Sequence, residues 1–224
     1  MGNLSVAKPR HVPPVIDGIR IFESATIAGW MVKTMIPPSE VVAVLKREKI
    51  DYMLAGAYAS AVWANRARAT MDVDVLVVRK DLRRATAALS ARFPELKIHD
   101  SEVVIRFYIG EYEDNNVRID IMKPVEKLHI AAFKHKAKAL VEGEECVIPT
   151  LELALAMKYK AIASPYRSPE SKLQDGADFT RIVKAQPMID MKMLADLAGL
   201  VHDKGADEIL EFVATVRAGK TLRV

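Results

Sequence analysis

Two aspartates one residue apart, Asp72 and Asp74, head the segment Asp72-Val73-Asp74-Val75-Leu76-Val77-Val78. A strand alternates its side chains with period two, so both carboxylates point to one face. The residues that follow are almost all apolar, as in a strand buried within a core. Like charges on one face of such a strand repel each other and lose hydration. A hard divalent cation is the usual compensation, because Mg²⁺ takes carboxylate oxygens while keeping positions open for phosphate. We therefore read Asp72 and Asp74 as metal ligands. The competing reading is a surface-facing strand end carrying two solvated aspartates.

Three more features bear on the same chemistry. The first is Ala55-Gly56-Ala57, between an apolar run and an alanine-rich one. Gly56 lets backbone approach a ligand closely, and a helix starting there aims its N–H groups and positive end at that spot. Phosphate is the natural occupant. The second is the lead-in to the acidic pair. Arg68 and Thr70 lie four and two residues before Asp72 and share its face if the strand extends that far. A guanidinium and a hydroxyl beside metal-bound carboxylates suit a triphosphate, whose charge must be offset before a nucleophile attacks. The third is Asp120, in Val117-Arg118-Ile119-Asp120-Ile121-Met122, where the apolar residues alternate to the other face. A carboxylate inside an apolar strand costs stability unless it is paired or metal-bound. If this strand lies beside the Asp72–Asp74 strand, Asp120 completes a site able to hold two ions, Mg²⁺ or Mn²⁺. The alternative for Asp120 is a salt bridge to Arg118 or Lys123.

The pattern resembles the nucleotidyltransferase superfamily that includes DNA polymerase beta. That family shows a glycine turn after a strand, a helix, an acid-x-acid strand and a third acid on a later strand. The matching residues are Leu54-Ala55-Gly56-Ala57, then Arg68-x-Thr70-x-Asp72-x-Asp74, then Asp120. Within the superfamily the chain is similar to minimal bacterial enzymes of the AbiEii toxin type, which add a lysine-bearing helix, an arginine and an acidic helical segment. Here these are Lys158 in Leu153-Ala-Leu-Ala-Met-Lys158, then Arg167, then Lys172-Leu-Gln174-Asp175-Gly-Ala-Asp178. The resemblance covers roughly residues 50–185.

It implies a metal-dependent enzyme that moves a nucleoside monophosphate from an NTP to a hydroxyl acceptor and releases pyrophosphate. Asp72 and Asp74 would bind both ions, Asp120 would be a ligand and a base, and Gly56 would sit against the triphosphate. Lys158 would reach a phosphate or brace the site, with Asp175 holding Lys158 or Arg167. Two positions depart from the pattern. Ala57 offers only its backbone N–H where the family has glycine or serine, and Gln174 stands where a lysine is usual. Ala57 motivates the rival expectation of a fold kept without catalysis: a binding or regulatory module, with an antitoxin-like protein as a partner. The acceptor, whether RNA, protein or small molecule, is not encoded in these motifs.

Composition sets outer bounds. A chain of 224 residues, half of them apolar, can bury a sizeable core. Its formal charge of +4 is only a mild bias toward polyanions, and no arginine-rich recognition helix supports plain DNA binding. One cysteine, Cys146, excludes an internal disulfide and fits a reducing cytoplasm. No secretory leader and no membrane span is expected.

The elements that must position these residues follow from periodicity and breakers. Residues 1–38, with five prolines, read as an N-terminal arm carrying one short helix. Residues 39–149 read as a mixed α/β core. Its expected elements are a helix capped by Ser39, a short strand at 52–55, a helix to 65, a strand at 72–78 and a helix over 80–93. A hairpin of residues 103–109 and 117–122 follows, then a basic helix over 127–141 and a strand at 145–148. Residues 150–224 read as a helical C-terminal region. The expected fold is α/β (α+β), a nucleotidyltransferase-type mixed sheet flanked by helices. Trp30 and Trp63 read as packing anchors. Lys134, Lys136 and Lys138 read as a solvated helix face, and His129 and His135 as pointing in different directions.

Overall fold

The computed structural model describes residues 35–66 and 69–223. The arm expected over residues 1–38 falls almost wholly outside them, as do Trp30 and Arg68. The first described helix, α1 (Pro38–Arg47), buries Val41, Val42, Val44 and Leu45. Ser39 does not cap it. Pro37 stands at the N-cap and Pro38 fills the first turn, where a missing N–H costs nothing.

A five-stranded sheet follows, formed by β1 (Tyr52–Leu54), β2 (Val73–Val77), β3 (Lys97–Asp100), β4 (Val104–Tyr108) and β5 (Val117–Met122). Their spatial order is β1-β2-β5-β4-β3. The β2–β5 pair at the centre is parallel, and the other pairings are antiparallel. β2 and β5 carry the apolar runs because they lie in the middle: Val73, Val75, Leu76, Val77, Ile119 and Ile121 are all buried. The expected hairpin of residues 103–109 and 117–122 is β4–β5.

Helix α2 (Gly56–Ala64) joins β1 to β2 and is apolar on every side. Such a helix must be covered all round. It lies against β2 on one side and against α6 (Pro169–Ala185) on another. Trp63 anchors it from within, donating from Nε1 to the Pro149 carbonyl at 3.0 Å, while Gln186 donates to the Trp63 carbonyl. Helix α3 (Leu82–Arg92) packs on α1. The C-terminal region is helical as expected: α5 (Leu151–Ala163), α6, α7 (Met191–Ala198) and α8 (Gly205–Arg217). The hydrophobic core runs unbroken from Val41 in α1 to Val216 in α8. No helix among the described residues is long and apolar enough to cross a membrane.

Other expectations are corrected as well. The helix expected over 127–141 is only α4 (Lys127–Ala132), and the chain then turns into β6 (Lys136–Val141). β6 pairs with β7 (Glu144–Pro149) through a two-residue turn in which Glu142 and Gly143 have φ of 51° and 81°. Positive φ at both central positions matches the twist of a tight hairpin. Lys136 and Lys138 therefore lie on a strand rather than a helix face, paired with Asp51 and Glu145. β3 was not expected at all. It is an exposed edge strand with no apolar stripe to reveal it.

Candidate active site

The parallel β2–β5 pairing puts Asp74 directly opposite Asp120. Asp72 stands one residue before β2, on the same face as Asp74. One oxygen from each of the three carboxylates lies within 4.8 Å of the others. At that separation each ionised pair repels by roughly 3 kcal/mol or more at an effective dielectric of about 20. Three such pairs together rival the net stability of a whole domain. The site therefore requires compensation by protons, by neighbouring cations or by a bound metal.

Gly56 is what lets α2 begin here. Its φ is +56°, a conformation that side chains disfavour, and a Cβ built on it would fall 1.7 Å from Asp74 Oδ2. The backbone at the start of α2 thus lies directly against the acidic group. The first N–H groups of any helix have no intrahelical partner, so this end carries donors and a positive pole. Ala57 is buried in the same turn.

The electrostatics reflect the crowding. Burial, then Asp72 and Asp120, push the Asp74 carboxyl well above the usual range, while Lys158 and Arg167 draw it back down. Asp120 is pushed up to about 7, chiefly by burial, with Arg106 opposing. Thr70 donates to Asp72 Oδ1 at 2.6 Å. Tyr58 of α2 is buried near the same acids, and its hydroxyl is raised by burial and by Glu142, Asp72 and Asp74.

The cation facing Asp120 is neither Arg118 nor Lys123. Lys123 reaches across to Asp100 at 2.5 Å, and Arg118 donates to the Asn115 and Val117 carbonyls. It is instead Arg106 of β4, whose register partner is Asp120. Its Nε lies 3.6 Å from Asp120 Oδ1.

The helical residues form a second, buried charge cluster. Lys158 of α5 donates to Asp175 Oδ1 at 2.9 Å and to Asp178 Oδ2 at 2.8 Å. Arg167 donates from Nε to Asp175 Oδ2 at 2.9 Å, so Asp175 grips both cations at once. Gln174 and Arg181 also donate to Asp178, both at Oδ1. Lys158 is almost fully buried between its two acids, whereas Arg167 is half-exposed. Both lie close enough to act on Asp74. Of the sites named from the sequence, Asp72, Asp74, Asp120, Gly56 and Thr70 meet directly. Lys158, Arg167 and Asp175 form the adjoining cluster, and Arg68 lies outside the described residues.

The donor set fits a hard cation. It offers oxygens only, carries net negative charge, and leaves Asp120 Oδ1 buried without a hydrogen-bond donor among the described residues. Sequence reasoning overlooked Arg106. The signal was present in Val104-Ile105-Arg106-Phe107-Tyr108, where one cation interrupts a strand whose other face is apolar. Its meaning required the register of β4 on β5. The role of Asp178 as a second acceptor for Lys158 was overlooked as well, although it lies three residues, about one helical turn, from Asp175.

No family model matches the chain, and no curated protein does. Among solved structures, ANT(2″)-Ia in complex with adenylyl-2″-tobramycin has a TM-score of 0.50 at 11% identity, covering 81% of this chain and 95% of that one. An antigenic nucleotidyltransferase-like protein from Paracoccidioides brasiliensis has a TM-score of 0.49 at 16% identity, over 83% and 94% of the two chains. The lincomycin-bound lincosamide adenylyltransferase LnuA gives 0.45 at 13%, over 69% and 98%. The chain has the nucleotidyltransferase fold, a mixed sheet flanked by helices and followed by a helical region.

Proposed function

We propose that the protein is a Mg²⁺-dependent nucleotidyltransferase that moves a nucleoside monophosphate from an NTP to a hydroxyl acceptor. One observation carries this reading: Asp72, Asp74 and Asp120 converge within 4.8 Å beside the helix end that Gly56 holds against Asp74. Asp72, Asp74 and Asp120 are the residues that would hold Mg²⁺, which when bound offsets phosphate charge and acidifies the acceptor hydroxyl.

The chain's own groups divide the remaining work. The N–H groups at the start of α2 bind phosphate oxygens. Thr70 holds the Asp72 carboxylate in orientation. Arg167, half-exposed and gripped through Nε by Asp175, meets the triphosphate as a cation, while buried Lys158 braces the two helices. The acceptor oxygen forms a bond to the α-phosphorus, the bond from that phosphorus to the bridging oxygen breaks, and pyrophosphate leaves. The acceptor's proton goes to Asp120, the carboxylate that lies opposite Asp74. The rest of the catalysis is positioning.

Within this reading the enzyme is of the minimal bacterial AbiEii type, supported by the joint grip of Asp175 on Lys158 and Arg167. The lone buried Cys146 supports a reducing, cytoplasmic setting. The test is to incubate the protein with Mg²⁺, each labelled NTP and a cell lysate, then follow label into RNA, protein and small molecules. Transfer that disappears in Asp72→Asn and Asp74→Asn is the expected result. Transfer unchanged in the folded variants overturns the site assignment. Absence of transfer with every NTP, despite nucleotide binding, leaves a non-catalytic binding module.

A further inference from the structure

The third acid is flanked by a cation that is held back from it. Arg106 and Asp120 are cross-strand neighbours on one face of the sheet, yet the Nε–Oδ1 distance is 3.6 Å. That separation is close enough for strong attraction and too long for a hydrogen bond. Both atoms are buried, and neither has a hydrogen-bond partner among the described residues. A free arginine beside a carboxylate normally closes into a fork that occupies both oxygens. Here the guanidinium is moored from its other side. Its Nη1 donates to Tyr112 Oη at 3.1 Å and to Asp114 Oδ1 at 3.0 Å. Tyr112 is fixed in turn, stacked on His99 at 4.3 Å and met edge-on by Tyr108 at 5.1 Å. The β4–β5 loop and the exposed strand β3 thus act together, holding a ring that holds a guanidinium.

We propose that Arg106 is a positioning residue whose mooring to Tyr112 and Asp114 holds its guanidinium back from Asp120 and so leaves free the oxygen a metal ion needs. The inference rests on the reading of the three acids as a cation site. It makes two changes act in opposite directions. Removing the guanidinium takes one positive charge away from the site, so a cation binds more tightly. Cutting the mooring frees the guanidinium to close on Asp120, so a cation binds more weakly. A side chain needed only for folding would not produce opposite signs.

The experiment titrates Mn²⁺ alone into metal-stripped protein and follows loss of the free-ion paramagnetic resonance signal. Arg106→Gln is expected to bind Mn²⁺ roughly tenfold more tightly, the size of one unit charge acting on a nearby divalent ion even at high dielectric. Tyr112→Phe, which removes the mooring hydroxyl without changing the charge, is expected to bind several-fold more weakly. Arg106→Lys, which keeps the charge, should stay near wild type, and it carries the comparison if Arg106→Gln fails to fold. In a transfer assay, Arg106→Gln should lose kcat while KM for the NTP changes little, and Arg106→Lys should recover part of it. Wild-type binding with Arg106→Gln no tighter, or with Tyr112→Phe no weaker, overturns the proposal and leaves the cation site standing. Wild-type protein that binds no Mn²⁺ overturns both.

Discussion

Gly56→Ala tests how tightly the backbone is built around the acidic site. At φ +56° an alanine costs about 1–2 kcal/mol in a left-handed conformation. Its Cβ would lie 1.7 Å from Asp74 Oδ2, 2.5 Å from Cγ and 2.9 Å from Cβ, so the Asp74 side chain must leave its place. Driving it off its rotamer adds about 0.5–1.5 kcal/mol, for a total of roughly 1.5–3.5 kcal/mol. In a chain of this size that lowers Tm by roughly 3–14 °C. The same displacement pulls Asp74 away from Asp72 and Asp120, so Mn²⁺ affinity should fall by at least about tenfold. Gly110→Ala is the matched control. Its φ is +73° and nothing lies within 4 Å of the added methyl, so it meets the backbone cost alone. Thermal melts and Mn²⁺ titration of both variants give the answer. If Gly56→Ala melts no lower than Gly110→Ala, or binds Mn²⁺ like wild type, then Gly56 is not what holds the helix against Asp74.

Three further outcomes follow from other parts of the structure. Asp120 keeps its proton in the folded chain up to about pH 7, whereas an unfolded aspartate releases it near 4. The folded state thus binds the extra proton between those limits, and its stability falls as pH rises through them. Asp120→Asn should therefore match wild type near pH 4 but exceed it at pH 8 in EDTA, by on the order of 2–4 kcal/mol in urea unfolding. Lys158→Met leaves Asp175 and Asp178 buried without their shared cation. It should cost about 3–5 kcal/mol in the same assay. Trp63→Phe strips the buried Pro149 carbonyl of its 3.0 Å donor and should cost about 1–3 kcal/mol, with Mn²⁺ affinity unchanged.

Much of the site was legible because its signals are local. Asp72 and Asp74 share a face by alternation alone, and Gly56 is marked by the break between a strand pattern and a helix pattern. The placement of Asp120 required one step more, the guess that two apolar strands lie side by side. Elements without a hydrophobic period stayed hidden. β3, Lys97-Ile98-His99-Asp100, is exposed at every position and owes its place to pairing with β4. The lysines of residues 134–138 suggested a helix face because charge spacing of two suits a strand edge as well as a helix. What decides is the turn at Glu142-Gly143, whose positive φ values fold β6 back onto β7. Arg106 was invisible for a different reason. Its chemistry depends on register with Asp120 and on a tyrosine six residues away, neither of which is a property of its own segment.

Three carboxylates, Asp74 and Asp120 on neighbouring strands and Asp72 just before β2, forming one metal cradle is the claim on which the rest depends. Anomalous diffraction at the manganese edge, from crystals grown with Mn²⁺ and a non-hydrolysable NTP, tests it directly. The expected result is anomalous density bonded to oxygens of Asp72, Asp74 and Asp120 at roughly 2.1 Å, with the triphosphate running toward the first turn of α2. Density elsewhere, or none while Asp120 remains beside Arg106, contradicts it.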